Sequence, residues 1–345
     1  MMRVGLVTGR REISLREMPE PEPSAGKAVV EISFCGICGT DLHAWASGAK
    51  YNPAICGHEW AGIVAARGAG VERVKEGDRV AIGIAPACGR CAECRSGRGA
   101  WCSNALAGML GLDRLAAPHG GFARAIAVDA ARLVRVRAGI SDEAAAMLEP
   151  ATVALHAVRR TPLRLGDGCV VLGAGPIGLL TQQCAQAAGA GAVVMVEPHP
   201  ARREKARELG ARAAVDPGRE DVSARVREVL GPLGADVVFE CAGIPATIDQ
   251  SASLVRRGGV VSLVGLANGP AQITPGTWLV NEIRLVASLG YLHEEFDLAM
   301  GLVQDGRLRL APLHTSKVGL DGLADAFERL HGSPSEIKIL VDPRA

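Results

Sequence analysis

The segment V-V-L-G-A-G-P-I-G, residues 170–178, constrains the fold of this chain more than any other. Its glycines at 173, 175 and 178 have the G-x-G-x-x-G spacing. A Val-rich strand candidate, 169–173, runs into them, and a helix candidate, 176–188, leaves them. Glycines there permit a tight turn, close approach of the backbone to a pyrophosphate, and tight helix packing, while the helix N-terminus favours negative charge. Gly173, Gly175, Pro176, Ile177 and Gly178 are therefore candidates for holding a dinucleotide. The spacing alone is a weak signal, and its setting strengthens it. A second strand candidate, 192–196, ends in Glu197, about 20 residues beyond the loop, where an acid grips the adenosine ribose. The Glu197 carboxylate would repel a 2′-phosphate, which favours NAD over NADP. Arg202 and Arg203 pull the other way, because arginines near this position can receive that phosphate. Their alternative is a solvated helix face, or stacking on adenine.

The surrounding chain fits that loop. Strand candidates 235–240 and 259–264 alternate with helix candidates 201–209 and 246–255, and a further apolar strand candidate covers 283–289. Short Val-rich runs between amphipathic helices predict a parallel sheet covered on both faces. The first 140 residues read differently. Segments 27–33, 61–66, 79–84 and 123–128 mix β-branched and small residues between Gly, Pro and Asp, as a mostly antiparallel, barrel-like domain would. Ser141 is a candidate N-cap with Asp142 and Glu143 in the first turn after it. Beyond residue 293, helix candidates 296–304 and 323–330 precede a last strand, 337–341.

Ten cysteines need an account, and seven of them precede residue 103. Cys88, Cys91, Cys94 and Cys102 form C-x2-C-x2-C-x7-C within a Gly/Arg-rich loop, which suits a closed, structural tetrahedral zinc site. An iron–sulfur cluster or four separate thiols are the alternatives. A second, scattered set consists of Cys38, in F-C-G-I-C-G-T-D-L-H, and His58-Glu59 twenty residues later. Mixed Cys, His and carboxylate ligands suit a catalytic zinc with a position open to substrate. Taken alone, His58 reads more often as a structural histidine, and Thr40 reads equally as a helix N-cap. Cys35 and Cys56 read as small buried hydrophobes. Thr40 and His43, two and five residues after Cys38, are candidates for moving a proton from a bound alcohol.

Composition removes other classes. With 38 Lys and Arg against 37 Asp and Glu, the net charge of +1 offers no field for nucleic acid or an anionic membrane. Aromatic residues, at 3%, are too few for base stacking along a single strand. No apolar run approaches the ~20 residues of a membrane span. The apolar stretch near the N-terminus is too short for a signal peptide, so a cytoplasmic protein is expected.

These fragments together resemble the zinc-dependent medium-chain dehydrogenases of the alcohol dehydrogenase superfamily, which include sorbitol, butanediol and threonine dehydrogenases. The match spans nearly the whole chain, with the motifs in the family order. C-G-T-D-L-H, 38–43, looks like the first zinc-ligand motif and Gly57-His58-Glu59 the second. The lobe at about 86–104 looks like the structural-zinc lobe. Leu148-Glu149-Pro150 is similar to the sorbitol and butanediol branch, where this glutamate takes the fourth zinc position. E-P-H-P-A-R-R, 197–203, is most like threonine dehydrogenase.

The resemblance implies an α/β protein with a GroES-like β-barrel catalytic domain built from 1–149 and 290–345. A Rossmann doubly wound sheet at 150–289 completes it. It also implies that Val264, Gly265 and Leu266 lie near the nicotinamide and that Lys338 reaches the pyrophosphate. Relatives are homodimers or homotetramers, and an exposed edge at 283–289 would suit sheet-to-sheet pairing. The expected activity is hydride transfer between a secondary alcohol, diol or polyol and NAD, giving the ketone. Zinc held by Cys38 and His58, with Glu59 and Glu149 completing or exchanging, would lower the alcohol's pKa. The proton would leave through Thr40, a ribose hydroxyl and His43. Oxidation of an amino-acid alcohol such as threonine is the near alternative. A non-catalytic NAD- and zinc-binding protein is the alternative of another class. Trp45, Tyr51, Trp60, Trp278 and Tyr291 are each either pocket or core.

Overall fold

The computed structural model describes every residue of the 345 except Asn268 and Pro334. The chain divides into two compact units. One comprises Met1–Glu149, Leu292–Met300 and His314–Ala345; the other comprises Pro150–Tyr291 and Gly301–Leu313. Among the described residues, no helix is long and apolar enough to cross a membrane.

The first unit opens with a hairpin, β1 (Met2–Gly9) and β2 (Glu12–Met18), that the sequence reading leaves unassigned. It continues with β3 (Lys27–Gly36), β4 (Glu59–Arg67), β5 (Arg79–Ile82), β6 (Ala125–Asp129) and β7 (Leu133–Arg135). The four strands expected here are present with shifted ends. β3 is the spine of the sheet. Its residues Val30, Ile32 and Cys35 have no exposed surface, and it pairs antiparallel with both β4 and β6. Burying each such Val or Ile contributes roughly 1.5–3 kcal/mol, so the ladder around β3 anchors the unit.

The second unit carries β8 (Gly168–Leu172), β9 (Ala192–Val196), β10 (Ala213–Val215), β11 (Ala235–Glu240), β12 (Val255–Leu263) and β13 (Arg284–Ala287). All their pairings are parallel, in the order β10-β9-β8-β11-β12-β13. That is the doubly wound dinucleotide-binding order, and its ligand crevice lies beyond the carboxyl ends of β8 and β11, where the winding reverses. Val170, Val194 and Val238 are fully buried, which explains the unbroken apolar runs in the sequence.

The remaining strands, β14 (His314–Gly319) and β15 (Lys338–Asp342), return to the first unit and order its sheet as β14-β15-β3-β4-β5-β7. The segment Gly301–Leu313, expected with this C-terminal arm, groups instead with the second unit. Gln183, buried on the helix Pro176–Ala187, causes this. Its carboxamide accepts from Arg309 N (2.8 Å) and donates to Arg309 O (3.2 Å), clamping that backbone. Arg309 Nη2 also donates to Glu208 O (2.6 Å).

Candidate active site and metal centres

Cys38 is the N-cap of the helix Gly39–Ser47, which carries Thr40 in its first turn and His43 one turn on. The Cys38 sulfur accepts from Thr40 N (3.4 Å), a bond that favours a thiolate. The capping role that the sequence allows for Thr40 therefore belongs to Cys38. Thr40 Oγ1 lies 3.6 Å from the same sulfur. His43 is half-buried, and burial lowers its pKa. That burial disfavours the charged imidazolium.

His58 reaches the same place from another loop. Gly57 precedes it at φ +77, and a Cβ on Gly57 would stand 2.9 Å from the Phe122 ring, so only glycine makes that turn. His58 Nδ1 lies 2.9 Å from Ile55 O and donates to it, which leaves the Nε2 lone pair for a ligand. Glu59 begins β4 and pairs with Gly36 of β3, so its carboxylate arrives beside Cys38. Donor atoms of Cys38, His58 and Glu59 all lie within 4.8 Å of one another. Sulfur, imidazole and carboxylate at that separation fit one divalent ion.

Glu149, expected in this shell, stands outside the mutually close set. It is buried at the start of the helix Leu148–Arg159, and burial pushes its carboxyl up to about 7. Burial and Glu59 raise the Cys38 thiol, and burial raises Asp41. Burial opposes charge on His58, but Cys38 and Asp41 outweigh it and raise the imidazole. These shifts share a cause: several anionic groups crowd a dry space, where a bound cation would favour their deprotonated forms.

Asp41, to which the sequence assigns no role, and Tyr51, one of the aromatic residues read as either pocket or core, hold this cluster together. Asp41 is fully buried, and its Oδ2 accepts from Cys38 N (2.9 Å). Its Oδ1 accepts from Gly57 N (3.1 Å) and from the Tyr51 hydroxyl (2.6 Å). One carboxylate thus ties the Cys38 loop to the His58 loop, and Tyr51 fixes the carboxylate. The signal for Asp41 was present, since an acid three residues after an N-cap completes a capping box.

Lys338 is a correction. Its expected place is the pyrophosphate, but its ammonium is buried, paired with the Glu59 carboxylate and donating to Ile37 O (2.9 Å). The topology imposes this, because β15 pairs with β3 at Leu340↔Gly36 and Val341↔Cys35, beside the Cys38 loop. Burial lowers the Lys338 pKa, yet Glu59 more than reverses it and the net shift is upward. The aromatic residues resolve toward core. Trp45, Trp60 and Tyr291 are buried, and Trp278 packs against the core of the parallel sheet. Cys35 and Cys56 are buried outside both donor sets.

The four-cysteine lobe forms a second centre. The sulfurs of Cys88, Cys91, Cys94 and Cys102 lie within 4.8 Å of one another, with Cys91 and Cys102 at 3.8 Å. Four sulfurs each ~2.3 Å from one zinc stand about 3.8 Å apart, so the spacing suits a single ion. A multi-iron cluster needs its cysteines spread around a larger core. Amides of residues 90 and 91 hold the Cys88 thiol down at about 6, while hydrogen bonding to Cys91 pushes Cys94 up to about 12. Between residues 86 and 104 only Cys102 is buried, so no apolar core holds this lobe.

In the second unit, Gly173 follows β8 at φ +92, and Gly175 caps the helix Pro176–Ala187 without any side-chain bond to its amides. A Cβ on Gly178 would lie 1.8 Å from Gly173 O, so the loop requires glycine there. Pro176 and Ile177 fill the first turn, and the uncapped amides suit a phosphate. Glu197 is 3% exposed, and it accepts from Ala174 N (2.7 Å) in the loop and His199 N (3.0 Å). Each carboxylate oxygen retains a lone pair for a ribose hydroxyl. Arg202 is half-buried on the helix Pro200–Glu208. Val264 N and Gly265 N donate to Glu240 O (2.9 and 2.8 Å), and Leu266 is exposed. These residues share the carboxyl edge of the sheet with the glycine loop. Glu240, also missed from sequence, braces that edge. Its Oε1 accepts from Ala242 N and Gly243 N (both 3.0 Å) and from Thr247 Oγ1 (2.7 Å).

The geometry and the known proteins agree. A family model for an alcohol dehydrogenase GroES-like domain matches residues 24–138, and one for a zinc-binding dehydrogenase matches 176–305. The (R,R)-butanediol dehydrogenase of Bacillus subtilis (strain 168) is 34% identical over 349 residues, covering 97% of each chain. Sorbitol dehydrogenase of the same organism is 31% identical over 351 residues, covering 99% of this chain and 97% of the relative. The crystal structure of 2R,3R-butanediol dehydrogenase from Bacillus subtilis matches with a TM-score of 0.85 at 33% identity, over 99% of this chain and 100% of that one. The chain belongs to the zinc-dependent medium-chain alcohol dehydrogenase family.

Proposed function

We propose that the protein oxidises a secondary alcohol, diol or polyol to the ketone with NAD as hydride acceptor. The observation that carries this is the convergence of Cys38, His58 and Glu59 donors within 4.8 Å, beside Thr40 and His43 on one helix. The butanediol and sorbitol dehydrogenases among its relatives support the diol and polyol class. Bound zinc supplies a Lewis acid toward a hydroxyl, and NAD supplies the hydride acceptor. Cys38 and His58 hold the ion, with Glu59 or Glu149 completing its shell. Thr40 Oγ1 accepts the proton of the substrate hydroxyl as it releases its own, and His43 is the base that takes up the released proton on its way to solvent. The glycine loop holds the pyrophosphate, Glu197 the adenosine ribose with Arg202 beside it, and Val264–Leu266 face the nicotinamide. The lobe cysteines hold a second, structural zinc.

We take the catalytic domain as 1–149 and 290–345 less the segment Gly301–Leu313, which groups with the Rossmann domain at 150–289. We assign the protein to the cytoplasm as a homodimer or homotetramer. Exposed Leu285, Leu289, Leu279 and Val280 beside the outer strand β13 support pairing through that edge. The test is a panel of secondary alcohols, diols, polyols and L-threonine with NAD and NADP, together with a zinc count. NAD-dependent oxidation of diols or polyols and two zincs per chain are expected. Turnover of threonine alone would move the substrate class, and no turnover of any alcohol would leave a non-catalytic binding protein.

A further inference from the structure

We propose that Asp216 sets the preference for NAD over NADP by holding Arg203 away from the space beside the adenosine ribose. The inference rests on the dinucleotide reading of the glycine loop. Strands β9 and β10 run parallel with Val196 opposite Val215, so Glu197 and Asp216 are the next residues at adjacent strand ends. Glu197 N donates to Val215 O (3.0 Å), which fixes the two ends together. The Glu197 carboxylate turns toward the glycine loop through its bond to Ala174 N (2.7 Å).

Arg203 stands in the first turn of the following helix, the region from which an arginine takes a 2′-phosphate in NADP enzymes. Here its guanidinium is committed elsewhere. Nη1 donates to Glu197 O (2.8 Å) and Pro198 O (2.6 Å), and Nη2 pairs with Asp216 Oδ2 (2.9 Å). The two side chains are only 12% and 14% exposed, so water screens the pair weakly. Asp216 is itself anchored, with Oδ1 accepting from Gly218 N (3.0 Å) and its amide donating to Glu220 Oε1 (2.8 Å). Arg219 approaches Asp216 only to 3.9 Å and is exposed, so it does not replace Arg203. To meet a 2′-phosphate, Arg203 would have to leave a desolvated carboxylate unpaired, which is costly. Glu197 therefore repels the phosphate, while Asp216 withholds the Arg203 guanidinium from it.

The experiment titrates NADH and NADPH into the full chain and follows cofactor fluorescence, which needs no substrate. The variants are Asp216→Ala, Asp216→Asn and the double variant Asp216→Ala/Arg203→Ala. The wild type is expected to bind NADH more tightly. Asp216→Ala should lower the NADPH-to-NADH Kd ratio by about tenfold, equivalent to ~1.4 kcal/mol. Asp216→Asn, nearly isosteric, should lower it in the same direction and carries the test if the alanine variant does not fold. Removing Arg203 as well should return the ratio toward wild type, since the gain depends on the freed guanidinium. A wild type that prefers NADPH, a ratio that neither single variant moves, or a gain that survives loss of Arg203 overturns the proposal. A wild type that binds neither cofactor overturns the dinucleotide reading and the proposal with it.

Discussion

The two candidate metal centres of the first unit are built in opposite ways. The lobe draws four sulfurs from fifteen consecutive residues, 88–102, in a loop where only Cys102 is buried. The other centre draws one sulfur, one imidazole and one carboxylate from a helix start and a strand start, braced by buried Asp41 and Lys338. A loop without an apolar core depends on its ion for shape. A centre whose ligands hang on a packed barrel keeps its shape without one, so its ion can serve chemistry. Metal loss should therefore unfold the lobe but only silence the other site.

The sharpest break of that contrast is Cys38→Ser. Turnover should fall at least ~1000-fold while NADH binding and the melting temperature stay near wild type, because ligand loss removes Lewis acidity but not packing. Near-wild-type rates would show that Cys38 holds no catalytic ion. Next comes Cys94→Ser. The zinc count should drop from two to one, and trypsin should cut at Arg90, Arg95 or Arg98 within minutes, with a smaller loss of turnover. A variant as protease-resistant as wild type would remove the structural role of the lobe.

Tyr51→Phe tests the brace. The Asp41 carboxylate keeps its bonds to Cys38 N and Gly57 N but loses the phenol, so zinc affinity at the Cys38 centre should fall about tenfold, the low end for such supporting bonds. Competition with a chromophoric chelator reads this, and lobe zinc should not move. The smallest effect is in pH. Burial raises the Cys38 thiol and Glu149 sits at about 7, while in the lobe Cys88 is held at about 6 but Cys94 is pushed up to about 12. Each centre thus holds a thiol with a raised pKa, and protons compete with the ion as pH falls through a ligand's pKa, so both centres should lose zinc on acidification from pH 8. Zinc retained at either centre in strong acid would contradict ligation by thiolates there.

Legibility followed the same divide. The glycine loop, the alternating strands of the second unit and the cysteine lobe are visible in sequence because each depends on near neighbours: a turn that needs glycine, a two-faced burial, a ligand spacing. Asp41 and Tyr51 lie within twenty residues of Cys38, yet the sequence assigns Asp41 no role and leaves Tyr51 as either pocket or core. Their significance depends on Gly57 and His58 arriving from β4's side of the barrel. The opening hairpin of β1 and β2 escaped because β2 is largely exposed and shows no apolar run.

The order of local chemistry along the chain was thus enough to specify two folds, one glycine loop, one four-sulfur lobe and the residue types of a mixed-ligand centre. Only the tertiary structure decided which distant groups meet. It paired Lys338 with Glu59 instead of leaving it for a phosphate, set Arg203 on Asp216, and drew Gly301–Leu313 onto the second unit through Gln183. Each of these contacts joins residues on different segments of the chain. A side chain's electrostatic partner is chosen by strand register and burial, and pairing β15 against β3 is a long-range event that no local spacing encodes.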